Sequence, residues 1–428
     1  MRRSQLLFGT KSAVFWRRTV VGACLLGTAT FACAALSLES DLPVEQKTLD
    51  PTLDRRVRAD TITFSSSYME GRYTGAQLAI FGVEFLRFGW RMERLFRLDS
   101  FWEKWSWRLL FCWCDFKFGT TYHESGHGLR AKALGHDYQL LLDKSETKKS
   151  FVKEERFFKF FINKMLNLDR AACAYDAKFA SESAHNQCIV FAGGVNGNTY
   201  LAERVSRSLY EHQDIYFLQG FSYLHNRLYL PVYALHAKHP GKDPYDVVEC
   251  WKTLGIPVTR KDMALAGIVS FFLSGTTYSV LRATWKGDVE STETAPLEIG
   301  WLRLPDVFAY LTSQGVSYKL VNSCRIAEGA HLHFGVERVV RGTPMTEYHI
   351  GWKHIFGGVL TRFVHEATIT FGQGLNAELS VSIPVFDAFW ISVGVEMYSR
   401  TSLLGERHSC DFREEPCTIR FLSLSSRY

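Results

Sequence analysis

The residues best equipped for chemistry sit within five consecutive positions. His123-Glu124-Ser125-Gly126-His127 sets two imidazoles four residues apart, with a carboxylate beside the first. On an α-helix, residues four apart stand one turn apart on the same face. His123 and His127 can therefore present two ring nitrogens to one zinc ion at about 2.0–2.1 Å. Glu124 is rotated by about 100° around the helix, which carries its carboxylate over the open side of the metal. There it can take a proton from a metal-bound water and return it to a leaving group. Gly126 and Gly128 each cost a helix up to about 1 kcal/mol relative to Ala. A helix that keeps them needs close packing or room for a ligand at that point.

The pattern extends beyond its five residues. His-Glu-x-Gly-His followed by Ala131 and Leu134-Gly135 resembles the active-site helix of the zincin metallopeptidases. The form is most similar to that of site-2 proteases and their relatives, and the resemblance spans Thr121 to Gly135. Ala192-Gly193-Gly194 with Asn196 and Asn198 is a fainter echo of the Ala-Gly-Pro turn and Asn found in that family, with Gly194 where the Pro would stand. The resemblance implies zinc-dependent hydrolysis of a peptide bond in a peptide or protein substrate, with Glu124 catalytic. Two departures argue against intramembrane proteolysis. The motif segment is broken by Lys104, Arg108, Asp115, Lys117, Arg130 and Lys132, so it is far short of an apolar span. The family's third ligand is an Asp before a Gly in a later helix, and this chain contains no Asp-Gly pair.

A catalytic zinc needs a third protein ligand. Glu203 is the expected one, in Ala202-Glu203-Arg204-Val205-Ser206, because Glu-x-x-Ser resembles the second ligand helix of thermolysin-like zincins. There an Asp follows the Ser; here Arg207 does. The alternative is a surface Glu203 paired with Arg207 one turn on. His212 and Asp214 are further ligand candidates, and His225 and Tyr223 are candidates to stabilise an oxyanion.

These residues must be positioned by a mostly helical region over residues 75–290. Trp105 to Leu134 is one long helix, with Gly135 placed as its C-cap. Glu154–Leu168 is amphipathic, its phenylalanines forming a core face. Thr199–His212 and Tyr216–His236 are further helices. Gly193 to Gly197 reads as a turn leading into a helix; it lacks the Lys of a phosphate loop. Ala264–Val280 is uncharged and close to spanning length, and reads first as a buried core helix.

Beyond residue 290 the period changes from helical to alternating. Leu375, Ala377, Leu379, Val381 and Ile383 alternate with polar residues, and Phe389 to Tyr398 repeats the pattern. Similar runs cover 316–326, 331–339, 346–352, 363–371 and 418–428. An antiparallel β-domain over 291–428 follows, either a soluble sheet or a small barrel. Its texture, ending on Tyr428, resembles that of small outer-membrane barrels, which implies contact with an outer membrane. Before the helical region, residues 35–74 form a polar extension with a candidate strand at Thr61–Phe64. The expected fold class is α+β.

The first 34 residues carry Arg2, Arg3, Lys11, Arg17 and Arg18 and no acid, then an uncharged run ending Ala32-Cys33-Ala34. This is the form of a cleaved export signal and predicts a chain in the periplasm or outer membrane of a bacterial envelope. The segment also explains the net charge of +6: without it, 45 basic residues face 44 acidic ones. No basic run remains for nucleic acid, which is excluded as a partner. Ten cysteines become eight after cleavage. Cys410 and Cys417 are the expected disulfide; Cys112 and Cys114 read as buried apolar residues.

The expected function is thus a zinc metallopeptidase. Two alternatives are a non-catalytic envelope barrel with an incidental or structural metal site, and a barrel with a helical plug. Geometry separates them: both imidazoles and one carboxylate must converge on a point that Glu124 also faces.

Overall fold

The computed structural model describes residues 61–65 and, with short interruptions, 75–142, 152–212, 215–285, 297–398 and 417–427. The expected export signal and most of the 35–74 extension lie outside the described residues, as does Cys410 of the expected disulfide. After strand β1 (Thr61–Ser65), the helical region comprises α1 (Gly75–Leu95), α2 (Phe101–Ala133), α3 (Phe157–Leu166), α4 (Ala184–His212), α5 (Phe217–His236), α6 (Asp243–Thr253), α7 (Arg260–Phe272) and α8 (Gly275–Trp285). A small antiparallel sheet of β2 (Tyr138–Leu142), β3 (Val152–Glu154) and β4 (Ala171–Tyr175), in the order β3-β2-β4, is inserted between α2 and α4.

Helix α2 carries the His-Glu-x-x-His residues and ends as its sequence demands. Gly135 follows it with φ +88, a left-handed conformation that glycine adopts without a Cβ clash. The Leu134 N–H still bonds to the carbonyls of Arg130 and Ala131. Cys112 and Cys114 are buried in this helix.

The Gly193–Gly197 stretch is not a turn: it lies inside α4. Its glycines are explained by packing. A Cβ on Gly126 of α2 would stand 2.5 Å from the Gly193 carbonyl oxygen, and one on Gly193 would stand 2.5 Å from that of Gly126. The two helices touch backbone to backbone, which only glycine permits. Gly128 is pinned in the same way by the ring of Tyr138 on β2.

The uncharged stretch 264–280 is not one core helix either. It breaks at Leu273–Ser274 into α7 and α8, which meet at 64°. Among the described residues no single helix is long and apolar enough to cross a membrane, although this bent pair passes the same test taken together.

The second half is an antiparallel sheet of β5 (Glu298–Ile299), β6 (Leu302–Arg303), β7 (Asp306–Thr312), β8 (Gly315–Ala327), β9 (Ala330–Gly342), β10 (Thr346–Gly357), β11 (Arg362–Phe371), β12 (Leu375–Phe386), β13 (Phe389–Tyr398) and β14 (Cys417–Arg427). The order is β1-β14-β13-β12-β11-β10-β9-β8-β6-β5, with β7 also paired to β8. β1 recruits the end of the chain, Thr61 opposite Arg427. Among the described residues β1 and β5 do not pair with each other, so of the two expected arrangements the open sheet is found and the closed barrel is not. The fold is α+β. Helices and sheet share a core: Phe308 and Tyr310 of β7 pack with Phe118 and Tyr122 of α2, Leu201 and Val205 of α4 and Tyr223 of α5.

Candidate metal centre

Two elements far apart in sequence build the site. α2 presents His123 and His127 on one face. α6 begins at Asp243, where a carboxylate complements the positive end of the helix dipole, and Pro244 follows in the first turn, where no backbone hydrogen bond is lost. Helix α6 is held in place by buried Val247 and Trp251, whose indole N–H donates to the Thr312 carbonyl at 2.9 Å.

The three side chains converge. Asp243 Oδ2 lies 2.8 Å from His123 Nε2 and 3.1 Å from His127 Nε2. Both histidines are buried and Asp243 is partly so. The far ring nitrogens are engaged too. His123 Nδ1 meets Asn198 Oδ1 at 2.9 Å, and His127 Nδ1 meets the Val190 carbonyl at 2.7 Å, both acceptors on α4. An acceptor at Nδ1 favours the ring proton there, which leaves the Nε2 lone pair for a metal; at His127 the Gly194 N–H also reaches Nδ1, at 3.3 Å. Asn198 is anchored in turn by its own amide, which donates to Asn226 Oδ1 on α5 at 2.8 Å. Asn226 donates to the Ser222 carbonyl at 2.9 Å, and Ser222 Oγ donates to buried Asp115 at 2.8 Å.

The donor set fits a zinc-type ion. Two imidazole nitrogens and one carboxylate are one of the known compositions of a three-ligand catalytic zinc site. Around a tetrahedral ion with bonds of 2.0–2.1 Å, ligand atoms stand about 3.3 Å apart, close to the separations here. Space is kept open as well. A Cβ on Gly194 would lie 2.4 Å from His127 Nε2 and 2.6 Å from His123 Nε2. The glycine on α4 clears the side of the site where metal and water would sit.

Charge is balanced internally. Burial alone would lower the pKa of His127, but the charge and hydrogen bond of Asp243 outweigh it and push the value up to about 9. Burial likewise opposes the charge on Asp243, and the two imidazoles hold its carboxyl well below the usual range. Glu124, half-buried beside the trio, has its pKa raised by burial. Tyr229 and Tyr233 of α5 roof the site, their rings 5.1 and 6.0 Å from that of His123.

Of the residues expected from sequence, His123 and His127 are brought together, with Glu124 beside them. Glu203 is not part of the trio. Its carboxylate accepts from Lys319 Nζ of β8 at 2.8 Å and from the Tyr310 hydroxyl of β7 at 2.7 Å. It does not pair with Arg207 either, which donates to Glu211 at 2.7 Å. Glu203 joins α4 to the sheet. His212 is the last residue of α4 and is not among the converging groups; Asp214 lies outside the described residues. The Tyr223 hydroxyl is engaged with Thr277 at 3.1 Å, and His225 faces Asp115 at 4.0 Å, with burial driving its pKa down to about 4. Neither is among the converging groups. Asp243 was missed because the sequence criterion required a following Gly. An Asp opening a later helix before Pro is the signal that would have found it.

No protein-family model, curated protein or solved structure matches this chain.

Proposed function

We propose that the chain is a zinc-dependent metallopeptidase of the cell envelope, with His123, His127 and Asp243 as the metal ligands and Glu124 as the general base. The convergence of two Nε2 atoms and one carboxylate oxygen around a space that Gly194 keeps clear carries this reading. A divalent ion held there would acidify a bound water and polarise a carbonyl. The chain's own groups supply the rest. Val190 and Asn198 hold the two imidazoles in the metal-binding tautomer. Glu124, its pKa raised by burial, is suited to accept a proton and hand it on to a leaving amine. The strand β4 offers a place for substrate. It pairs on one side with β2, and its Cys173 and Tyr175 both feel the charges of Glu124 and Asp243. An extended peptide added to the other edge would lie beside the site and be recognised through its main chain.

The test is the zinc content of purified protein together with hydrolysis of an unfolded protein such as casein. One zinc per chain, lost in His123→Ala and kept in Glu124→Gln, with hydrolysis lost in both, is expected. Folded wild type that takes up no zinc on reconstitution would overturn the proposal.

The direct contacts of Asp243 with both imidazoles favour a second reading, in which the trio is an ion-paired brace in a non-catalytic envelope protein. That reading predicts no metal and no effect of Glu124→Gln.

A further inference from the structure

The long sheet is polarised in reverse. Along β8, β9 and β10 the side chains turned toward the helices are polar and buried: Ser317, Lys319, His331, His333, Glu337 and Glu347. Three of them have partners on that side: Lys319 pairs with Glu203, His333 lies 3.3 Å from Glu211, and Ser317 donates to Glu337. The alternate residues face the other way and are mostly apolar, with Asn322 and Cys324 of β8 buried and Arg338 of β9 exposed among them. Leu320, Phe334, Tyr348, Ile350, Ile369 and Leu379 are each 39–55% exposed. The register lines them up across strands, Phe334 opposite Ile350 and Ile350 opposite Ile369. A water-facing sheet has the opposite arrangement, polar outside and apolar inside. The reversal is not a local accident, since it holds over several consecutive strands.

We infer that the outward face of this sheet is bedded in the hydrocarbon of a lipid bilayer. Three observations select lipid over a protein partner. The first is length. Strands β8 to β14 are 10–13 residues long, and a tilted strand crosses a bilayer core in about 9–11 residues. The second is the rim. At the Tyr318 end the outward row passes through Arg338 to Thr346. An aromatic beside an arginine suits the headgroup level, where amphipathic side chains settle. The third is a separate apolar surface. Leu265, Ile268 and Phe272 of α7 and Leu281 of α8 are 40–57% exposed on the helix pair whose combined length and composition suit a membrane. One lipid phase covers both surfaces, whereas a protein partner would need a matching face for each. The inference rests on the sheet and is independent of the metal-centre reading.

The test uses the full chain reconstituted into vesicles of phosphatidylethanolamine and phosphatidylglycerol. The protein should float with the vesicles and stay with them after alkaline carbonate washing. A fluorophore on Ile350→Cys should be quenched by bromine-labelled acyl chains at least about threefold more than one on Arg338→Cys. Phe334→Lys should reduce the vesicle-bound fraction about tenfold, and the exposed-helix control Glu249→Lys should leave it unchanged. The quenching comparison decides the matter even if Phe334→Lys fails to fold. Wild type that remains soluble without detergent, or that forms a dimer in which the Ile350 label is shielded from both water and lipid, would overturn the inference. Zinc content is measured on the same samples, so failure here and failure of the metal centre are read separately.

Discussion

Gly194 of α4 faces the two zinc-type donors of α2 so closely that a single added carbon would stand 2.4 Å from His127 Nε2. The site therefore depends on an absent side chain as much as on the present ones. Gly194→Ala should abolish zinc uptake while leaving all three ligands in the sequence. The added methyl also overpacks the α2–α4 contact, at a cost of about 1–3 kcal/mol. Elemental analysis and thermal unfolding of the variant check the two effects separately.

Asp243 and Glu203 should behave in opposite ways. Asp243→Ala should lose zinc, because it removes one of the three converging donors. Glu203→Gln should keep zinc but lower stability, since it removes the ion pair between Glu203 and buried Lys319. Breaking a buried pair from one side costs about 3–5 kcal/mol. Denaturant unfolding with zinc analysis on both variants distinguishes the roles; zinc loss in Glu203→Gln would restore Glu203 as a ligand.

Asn198 would act on a bound metal through His123, whose Nδ1 it meets at 2.9 Å. Removing such an outer partner usually weakens metal binding by about 10–100-fold. Asn198→Ala should show that loss by competition with a chelator. Asn226→Ala, one step further along the chain of amides, should show a smaller one.

The pH dependence of the metal-free protein follows from the Asp243–His127 contact. The folded pKa of His127 is raised from 6.5 to about 9, so its contribution to stability is complete below 6.5 and is lost as pH rises through 9. Asp243 is depressed from 3.8, so its contribution is present above about 4 and is lost as pH falls further. Stability of the metal-free protein should decline between pH 6.5 and 9. Zinc should reverse that trend, because binding requires a deprotonated imidazole. Calorimetry at pH 7 in buffers of different ionisation enthalpy should show about one proton released per zinc bound.

Much of this protein can be read along the chain. The spacing of His123 and His127 sets their shared face because a helix repeats every 3.6 residues, whatever surrounds it. Gly135 marks the end of α2 because only glycine tolerates its backbone comfortably. The alternation after residue 290 signals strands because successive side chains of a strand point to opposite faces. All of these are local rules, and the structure obeys each of them.

The choice of the third converging group is not local. Asp243 lies 116 positions beyond His127, and its one local mark, an Asp before the Pro that opens a helix, says nothing of which site it reaches. It reaches the site because α6 is docked by Trp251 against the end of β7. Glu203 has the better local motif, yet Lys319, itself 116 positions further on, claims its carboxylate. Periodicity likewise shows that the strands have two unlike faces but not which one meets the helices. Only the tertiary structure shows it: the partly buried carboxylates Glu203 and Glu211 of α4 meet Lys319, His333 and Lys353 of the sheet, so the polar face lies against the helices because charges taken out of water need partners of opposite sign.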